Sequence, residues 1–235
     1  MGASASPIID ETAENLGKRA TGARPRGLHS ALSRRWLKPI LFVLCLVPLG
    51  MLVWAGIHGG LGANPIEFIT HATGDWTLRF VLITLAITPL RRLLGLPELI
   101  RFRRMLGLFA FFYGCLHFTT YIWLDKFFDL SEMLRDIDKR RFITVGFTAF
   151  VLMIPLALTS TAGWIRRLGG RRWRALHSLI YATAALGVVH YYWLVKSDVR
   201  RPVRYGLVLL LLFALRLAWR YTASLRRPET VAISD

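Results

Sequence analysis

The sequence predicts an all-α integral membrane protein, a bundle of six transmembrane helices. Three observations carry that reading: the apolar residues gather into long blocks, the basic charge falls mostly on one side of those blocks, and two blocks hold histidines at matching depth. Hydrophobic residues make up 54% of the 235 and mean hydropathy is +0.43. An ordinary soluble domain of this size is less apolar.

Taken in order, residues 1–35 are polar, rich in Ala, Gly, Ser and Arg, and lack an apolar core, so they are predicted as a disordered cytoplasmic tail, not a signal peptide. Pro39 to Ile57 is the first span, with Pro48 and Gly50 inside it. The second needs Trp76 to Leu94 around an uncharged core of Phe80 to Leu90, with Arg79 and Arg91 snorkelling to the two interfaces. Met105 to Leu124 is the third and carries His117. Phe142 to Ile165 is the fourth, ending in a polar turn at 159–163. Ala175 to Val195 is the fifth, 21 residues without a formal charge and with His177 and His190 near its ends. The sixth, Val203 to Tyr221, has an uncharged core of Tyr205 to Leu215 and carries Arg216. The six-helix domain therefore covers 36–221, and 222–235 form a C-terminal cytoplasmic tail. The outer loop 125–141, with five acids against five bases, reads as an amphipathic segment on the membrane surface or a docking patch.

With the N-terminus inside, 21 Lys and Arg fall on the inner side and 10 on the outer. That excess puts both termini in the cytoplasm. The net charge of +17 is then a topology signal, assisted by attraction to anionic lipid, and not a nucleic-acid footprint. Cys45 and Cys115 sit inside apolar runs without CxxC spacing and read as core residues.

Imidazoles inside membrane spans usually face a bundle interior or a bound group. His117 and His190 lie roughly 10 Å and 8 Å below the outer boundary at 1.5 Å per residue. Matching depth on two helices is what bis-imidazole ligation of one haem between helices requires. His177 is roughly 20 Å further in, and about 140° around an ideal helix from His190. Either a bulge near Gly187 or two different interhelical gaps would resolve that angle. His177 has no histidine partner at its depth, where Arg101, Arg103 and Arg104 stand instead. His58 and His71 are predicted as solvated loop residues, His71 with a further reading as an extra ligand or docking contact, and His29 has no assigned role. Arg166, Arg167, Arg171, Arg172 and Arg174 form a basic inner rim suited to propionates, a flavin phosphate or lipid phosphate. Tyr121, Trp123, Tyr191, Tyr192 and Trp193 form an outer aromatic belt. No GxGxxG, Walker, CxxCH or HExxH motif occurs.

The stretches TPLRRLLG (88–95), RRMLGLFAFFYGCLHFTTYIWLD (103–125), ITVGFTAFVLMIPLALTSTAGWIRRLGGRRW (143–173) and LHSLIYATAALGVVHYYWLVK (176–196) resemble the MsrQ (formerly YedZ) family of the ferric-reductase-like transmembrane superfamily. The resemblance covers about 36–221. It implies a bacterial inner-membrane subunit that binds haem b and FMN. Electrons would come from the quinone pool or a cytosolic flavin reductase. They would pass to a periplasmic MsrP-like molybdopterin subunit, where methionine sulfoxide in oxidised proteins is reduced. It also implies His117, His190 and His177 as haem-associated residues. The superfamily's further histidine on the third helix is replaced here by Arg103 or Arg104, which leaves the partner of His177 and a second, inner haem open. Arg141 stands where a proline is expected. The alternatives are a stand-alone ferric or quinone reductase of the same superfamily and a proton-coupled transporter without pigment.

Overall fold

The computed structural model describes residues 35–225, and every regular element within them is helical. The predicted N-terminal tail, with His29, and the C-terminal tail beyond 225 lie outside the described residues. The helices are α1 (Leu37–Ile57), α2 (Pro65–Leu93), α3 (Ile100–Thr119), α4 (Leu130–Lys139), α5 (Arg141–Leu158), α6 (Ala162–His177), α7 (Leu179–Leu194) and α8 (Arg200–Leu225). A 3₁₀ turn (Pro97–Leu99) leads into α3, and a π-helical turn (Thr120–Asp125) leads out of it. Four stretches are long and apolar enough to cross a membrane: Leu37–Ile57, Pro97–Asp125, Arg141–Leu158 and Arg200–Thr222. The second and fifth predicted spans correspond to α2 and α7, which fall short for different reasons. Charges at Glu67, Asp75, Arg79, Arg91 and Arg92 interrupt α2, while α7 has 16 residues and reaches only about 24 Å at 1.5 Å per residue.

Helix α2 packs along α3, α5 packs along α7, and the two pairs meet through α3–α5 and α2–α7. Leu85, Ala110, Ala184 and Tyr113 are the most deeply buried of the joint core. Helices α1 and α8 flank it and turn Phe42, Leu44, Met51, Leu207 and Leu211 outward. That broad apolar exterior is costly in water and suits a hydrocarbon surround.

Tyr113 repairs a break in α1. Beside Pro48 the Leu49 N–H, whose i−4 partner would be the Cys45 carbonyl, donates instead to Tyr113 Oη at 3.1 Å, and that hydroxyl donates to Cys45 O at 2.9 Å. A side chain inserted into the helix ladder restores both bonds where no water can. Tyr113→Phe should therefore cost about 1–3 kcal/mol, because it leaves a buried main-chain donor and acceptor without partners. Thermal unfolding in detergent micelles would show this as a lowered Tm.

Several sequence expectations change. Helix α2 starts at Pro65, well before the predicted Trp76, because Asn64 Oδ1 accepts from Glu67 N at 3.3 Å and Pro65 occupies the first turn. His71 is consequently a helix residue, 4.0 Å from Glu67, and not a loop residue. The fourth span ends at Leu158, and the basic rim belongs to α6. Inside α6, Gly169 (φ 73°, ψ 151°) adopts a conformation open essentially only to glycine and kinks the helix. The fifth span is not one helix. The chain breaks at Ser178, whose Oγ donates to Ala175 O at 2.6 Å. His177 thus ends α6 while His190 lies on α7. The two imidazoles address different gaps, His177 bonding Thr159 at the end of α5 and His190 facing His117; a Cβ at Gly187 would touch Leu78 at 3.4 Å.

The outer loop forms α4, capped by Asp129 Oδ1 accepting from Glu132 N at 3.0 Å. It is pinned by an ion cluster centred on Lys126, whose Nζ lies 2.7 Å from Asp136 and 2.9 Å from Glu132. The Lys126 and Asp136 side chains are only 5% and 10% exposed. Hydrogen bonds to Asp136 and then Glu132 hold the Lys126 ammonium above its ordinary pKa. Burial pushes the Asp136 carboxyl up, but the Lys126 hydrogen bond and the Arg140 charge outweigh it and hold it below the usual carboxylate value. A depressed acid stabilises the fold above its unfolded pKa of about 3.9 and loses that contribution as pH falls through the folded value. Lys126→Met should cost about 3 kcal/mol locally, since Asp136 then keeps as its one cationic partner Arg140 at 3.2 Å, beside a long hydrogen bond from Tyr121 Oη at 3.4 Å. Amide exchange over 126–140 should speed up in that variant near neutral pH, and in the parent only in acid below about pH 4.

Candidate functional site

His117 and His190 come together between the two helix pairs, with ring centroids 6.1 Å apart and planes inclined by 74°. Each ring is oriented by main chain from a different helix. His117 Nδ1 lies 3.0 Å from Thr70 O on α2, and His190 Nδ1 lies 2.7 Å from Phe142 O on α5. A carbonyl can only accept, so both Nδ1 atoms carry the hydrogen and both Nε2 atoms keep a lone pair. Hydrogen bonds of this kind fix the tautomer and orientation of metal-binding histidines. Thr70 contributes twice: its hydroxyl donates to Thr120 Oγ1 at 3.2 Å, and Thr120 donates to His117 O at 2.7 Å. Thr120 opens the π-helical turn, a feature that recurs at functional sites.

Two glycines make room for the rings. A Cβ on Gly74 of α2 would stand 3.0 Å from His117 Cε1, and one on Gly146 of α5 would stand 2.5 Å from His190 Nδ1. Both helices thus present bare backbone to an imidazole at the level where the rings meet.

His177 lies apart from this pair. Thr159 Oγ1 donates to Pro155 O at 2.6 Å, so it accepts from His177 Nε2–H at 3.0 Å. The Trp173 ring stacks on the imidazole at 3.9 Å, and Trp173 Nε1 donates to Thr159 O at 3.0 Å. His177 therefore ties α6 to the end of α5, and of its two ring nitrogens only Nδ1 is left with a lone pair. His58 stacks on Trp54 at the end of α1, at 3.8 Å.

The residues suit an iron porphyrin on three counts. Among the described residues no group of three or more His, Cys, Asp or Glu gathers to hold a bare ion. Two facing imidazoles do complete the set of a metal that brings four in-plane donors of its own. With metal–nitrogen bonds of about 2 Å, imidazoles on opposite sides of one metal have ring centres roughly 6 Å apart. The glycine cradles clear the flanks of both rings.

Outside the pair, an open cleft at the outer end of α2 is lined by Phe68, His71, Asp75, Trp76, Arg79 and Arg201. Asp75, mostly buried, lies 3.4 Å from Arg79 and 3.8 Å from Arg201. Arg79 Nε donates to Tyr205 Oη at 2.9 Å. Asp75 follows Gly74 on α2, so the cleft and the His117 cradle lie at the same level of that helix. At the opposite end, Thr161, Gly163, Trp164, Arg166 and Arg167 line a shallow cleft at the start of α6.

Thr70, Phe142, Gly74 and Gly146 were not among the sequence candidates. Carbonyls leave no mark in residue type, and only the glycines, at the level of the histidines, were visible as a signal.

Residues 73–188 match the family of the ferric reductase like transmembrane component, a segment that contains His117 and His177 and stops two residues short of His190. The chain is 54% identical over 201 residues to a protein of Herminiimonas arsenicoxydans named protein-methionine-sulfoxide reductase heme-binding subunit MsrQ, covering 85% of this chain and 92% of that one. Proteins of the same name from Bordetella pertussis and Caulobacter vibrioides are 52% and 49% identical, covering 81% and 80% of this chain and 91% and 90% of theirs. No solved structure matches the chain. Identity at this level over nearly the whole length of these relatives means that the chain belongs to the MsrQ family.

Proposed function

We propose that this protein is the haem b-binding, electron-transfer subunit of a protein-methionine-sulfoxide reductase. In this reading it spans the bacterial inner membrane six times with both termini in the cytoplasm. The observation that carries the proposal is the His117–His190 pair, 6.1 Å apart, with both Nδ1 atoms held by carbonyls of α2 and α5. His117 and His190 would hold the haem iron through Nε2. Bound there, the haem would supply reversible one-electron redox chemistry.

The chain's own residues do the rest. Thr70 and Phe142 fix the imidazole tautomers, and Gly74 and Gly146 keep the space beside the rings clear. The packed core around Phe80, Phe109 and Tyr113 keeps water from the inner side of the pair. The relatives' name describes a subunit, so the methionine sulfoxide chemistry belongs to a partner, proposed as a periplasmic MsrP-like molybdopterin protein at the outer face.

Of the two electron donors, the outer cleft favours the quinone pool over a cytosolic flavin reductase. A hydroquinone releases two protons with its two electrons. The cleft sets two polar groups, Asp75 and His71, beside an apolar wall of Phe68 and Trp76, as a ring with polar edges requires. FMN, implied by the family resemblance, finds phosphate-binding chemistry in the basic cleft at the start of α6. An inner haem on His177 would have to bind through Nδ1, because Nε2 serves Thr159.

The test is a dithionite-reduced minus oxidised spectrum of haem-supplied protein, followed by addition of the molybdopterin partner and a methionine sulfoxide peptide. A b-type spectrum that the partner discharges is expected. A colourless preparation would leave the transporter reading. A pigment discharged by ferric salts or quinone but not by the partner would leave the stand-alone reductase.

A further inference from the structure

We infer that α4 with the two residues that lead into it is an outer-leaflet anchor: Phe127, Phe128, Leu130 and Leu134 insert into lipid, over the ion cluster of Lys126.

The polarity of this segment is inverted for water. Lys126 and Asp136 face the protein and are nearly buried, while Phe127 and Phe128 are 76% and 67% exposed and Leu130 and Leu134 are also exposed. At about 100° per residue, Leu130, Met133, Leu134 and Ile137 occupy one continuous arc of α4. That arc is divided. Met133 and Ile137 are half-buried against the protein, whereas Leu130 and Leu134 point away from it. Ser131, Arg135, Asp138 and Lys139, on the remaining arc, are exposed. A helix with one side on protein, one apolar side open and one charged side open has the profile of a helix lying in the membrane interface.

Backbone strain points the same way. Phe127 and Phe128 take φ of 48° and 62°, consecutive left-handed conformations that aromatic residues rarely adopt. Such strain persists only where surroundings enforce it. Here the π-helical turn and the Lys126 cluster hold the chain from behind, through Phe128 N–H donating to Ile122 O at 3.0 Å and Lys126 bonded to Glu132 and Asp136. The result is two rings thrust outward at the end of a helix that crosses the membrane.

Lipid is the occupant because the height of the segment is fixed. It joins Pro97–Asp125 to Arg141–Leu158, both long and apolar enough to span, so its ends sit at the bilayer boundary. Trp123, exposed on the preceding turn, extends the same surface toward the span. Arg135, Lys139 and Arg140 lie within reach of headgroup phosphates.

The experiment places an environment-sensitive fluorophore at Leu134→Cys or Asp138→Cys in a Cys45→Ala, Cys115→Ala background of the full chain in phospholipid nanodiscs. Spin-labelled lipid should quench the Leu134→Cys probe and aqueous iodide should spare it, with the reverse at Asp138→Cys. Iodide quenching of the Leu134→Cys probe to the extent seen at Asp138→Cys overturns the proposal in favour of a water-exposed face. Protection of the Leu134→Cys probe from both quenchers overturns it in favour of a protein cover, a partner or a second copy. Should the cysteine-free background fail to fold, benzoylphenylalanine at position 128 of the otherwise unaltered chain separates the same outcomes: phospholipid adducts after irradiation support the anchor, and protein adducts or none sink it. None of these readouts depends on haem, so the anchor and the redox proposal can fail separately.

Discussion

His117→Ala and His190→Ala should each abolish the low-spin b-type spectrum, and His177→Ala should keep it. The rings of the pair face each other at 6.1 Å, and Gly74 and Gly146 beside them offer no side chain. Loss of partners that merely orient a ligand costs 10–100-fold in metal affinity, so loss of a ligand itself should exceed about 100-fold. His177 bonds Thr159 and stacks on Trp173. Its removal should cost about 1–3 kcal/mol of stability at the α5–α6 corner, by leaving polar groups there without partners. The measurement is haem content together with the reduced-minus-oxidised spectrum of each variant. Full haem signal in both outer variants would refute the ligand assignment. Loss of a separate spectral component in His177→Ala would establish an inner haem.

Gly146→Ala should do nearly as much damage as removing His190, although it adds a single methyl group. The new Cβ would stand 2.5 Å from His190 Nδ1 and 2.7 Å from Cε1, inside any allowed contact. The ring cannot slide away and keep its 2.7 Å bond to Phe142 O, because that carbonyl lies one turn earlier on the same helix. Overpacking of this kind costs about 1–3 kcal/mol, and a displaced ligand about 10–100-fold in haem affinity. Gly74→Ala, with its nearest contact at 3.0 Å, should show a smaller loss. Gly50→Ala, with nothing within 4 Å, should show none. Haem titration of the three purified variants would rank them, and equal affinities would remove the cradle from the account.

Much of the fold was legible because hydrocarbon imposes a coarse rule that sequence obeys. Six apolar blocks were visible and all of them are helical, although the fourth and fifth each run across two helices and only four stretches are long and apolar enough to cross a membrane. The depth of His117 and His190 was legible for the same reason, since rise per residue is fixed within a span. What escaped depends on finer physics. The extension of α2 back to Pro65 was written in Asn64, Pro65 and Glu67, a start signal that a search for uncharged length passes over. The break at Ser178 has neither proline nor a glycine to announce it. The 140° between His177 and His190 is no obstacle, because His177 bonds Thr159 while His190 faces His117. The carbonyl partners of the two histidines were beyond reach, because every residue type has a carbonyl.

That last point bears on how the site can change over time. The Phe142 side chain could be exchanged for another without removing the oxygen that holds His190, provided α5 keeps its place. Substitution at such a position leaves the orienting group intact, whereas a site held by an aspartate or asparagine loses it at one mutation. The orientation of this imidazole is therefore inherited with the helix placement, and the Phe142 side chain is free to drift where Gly146 is not.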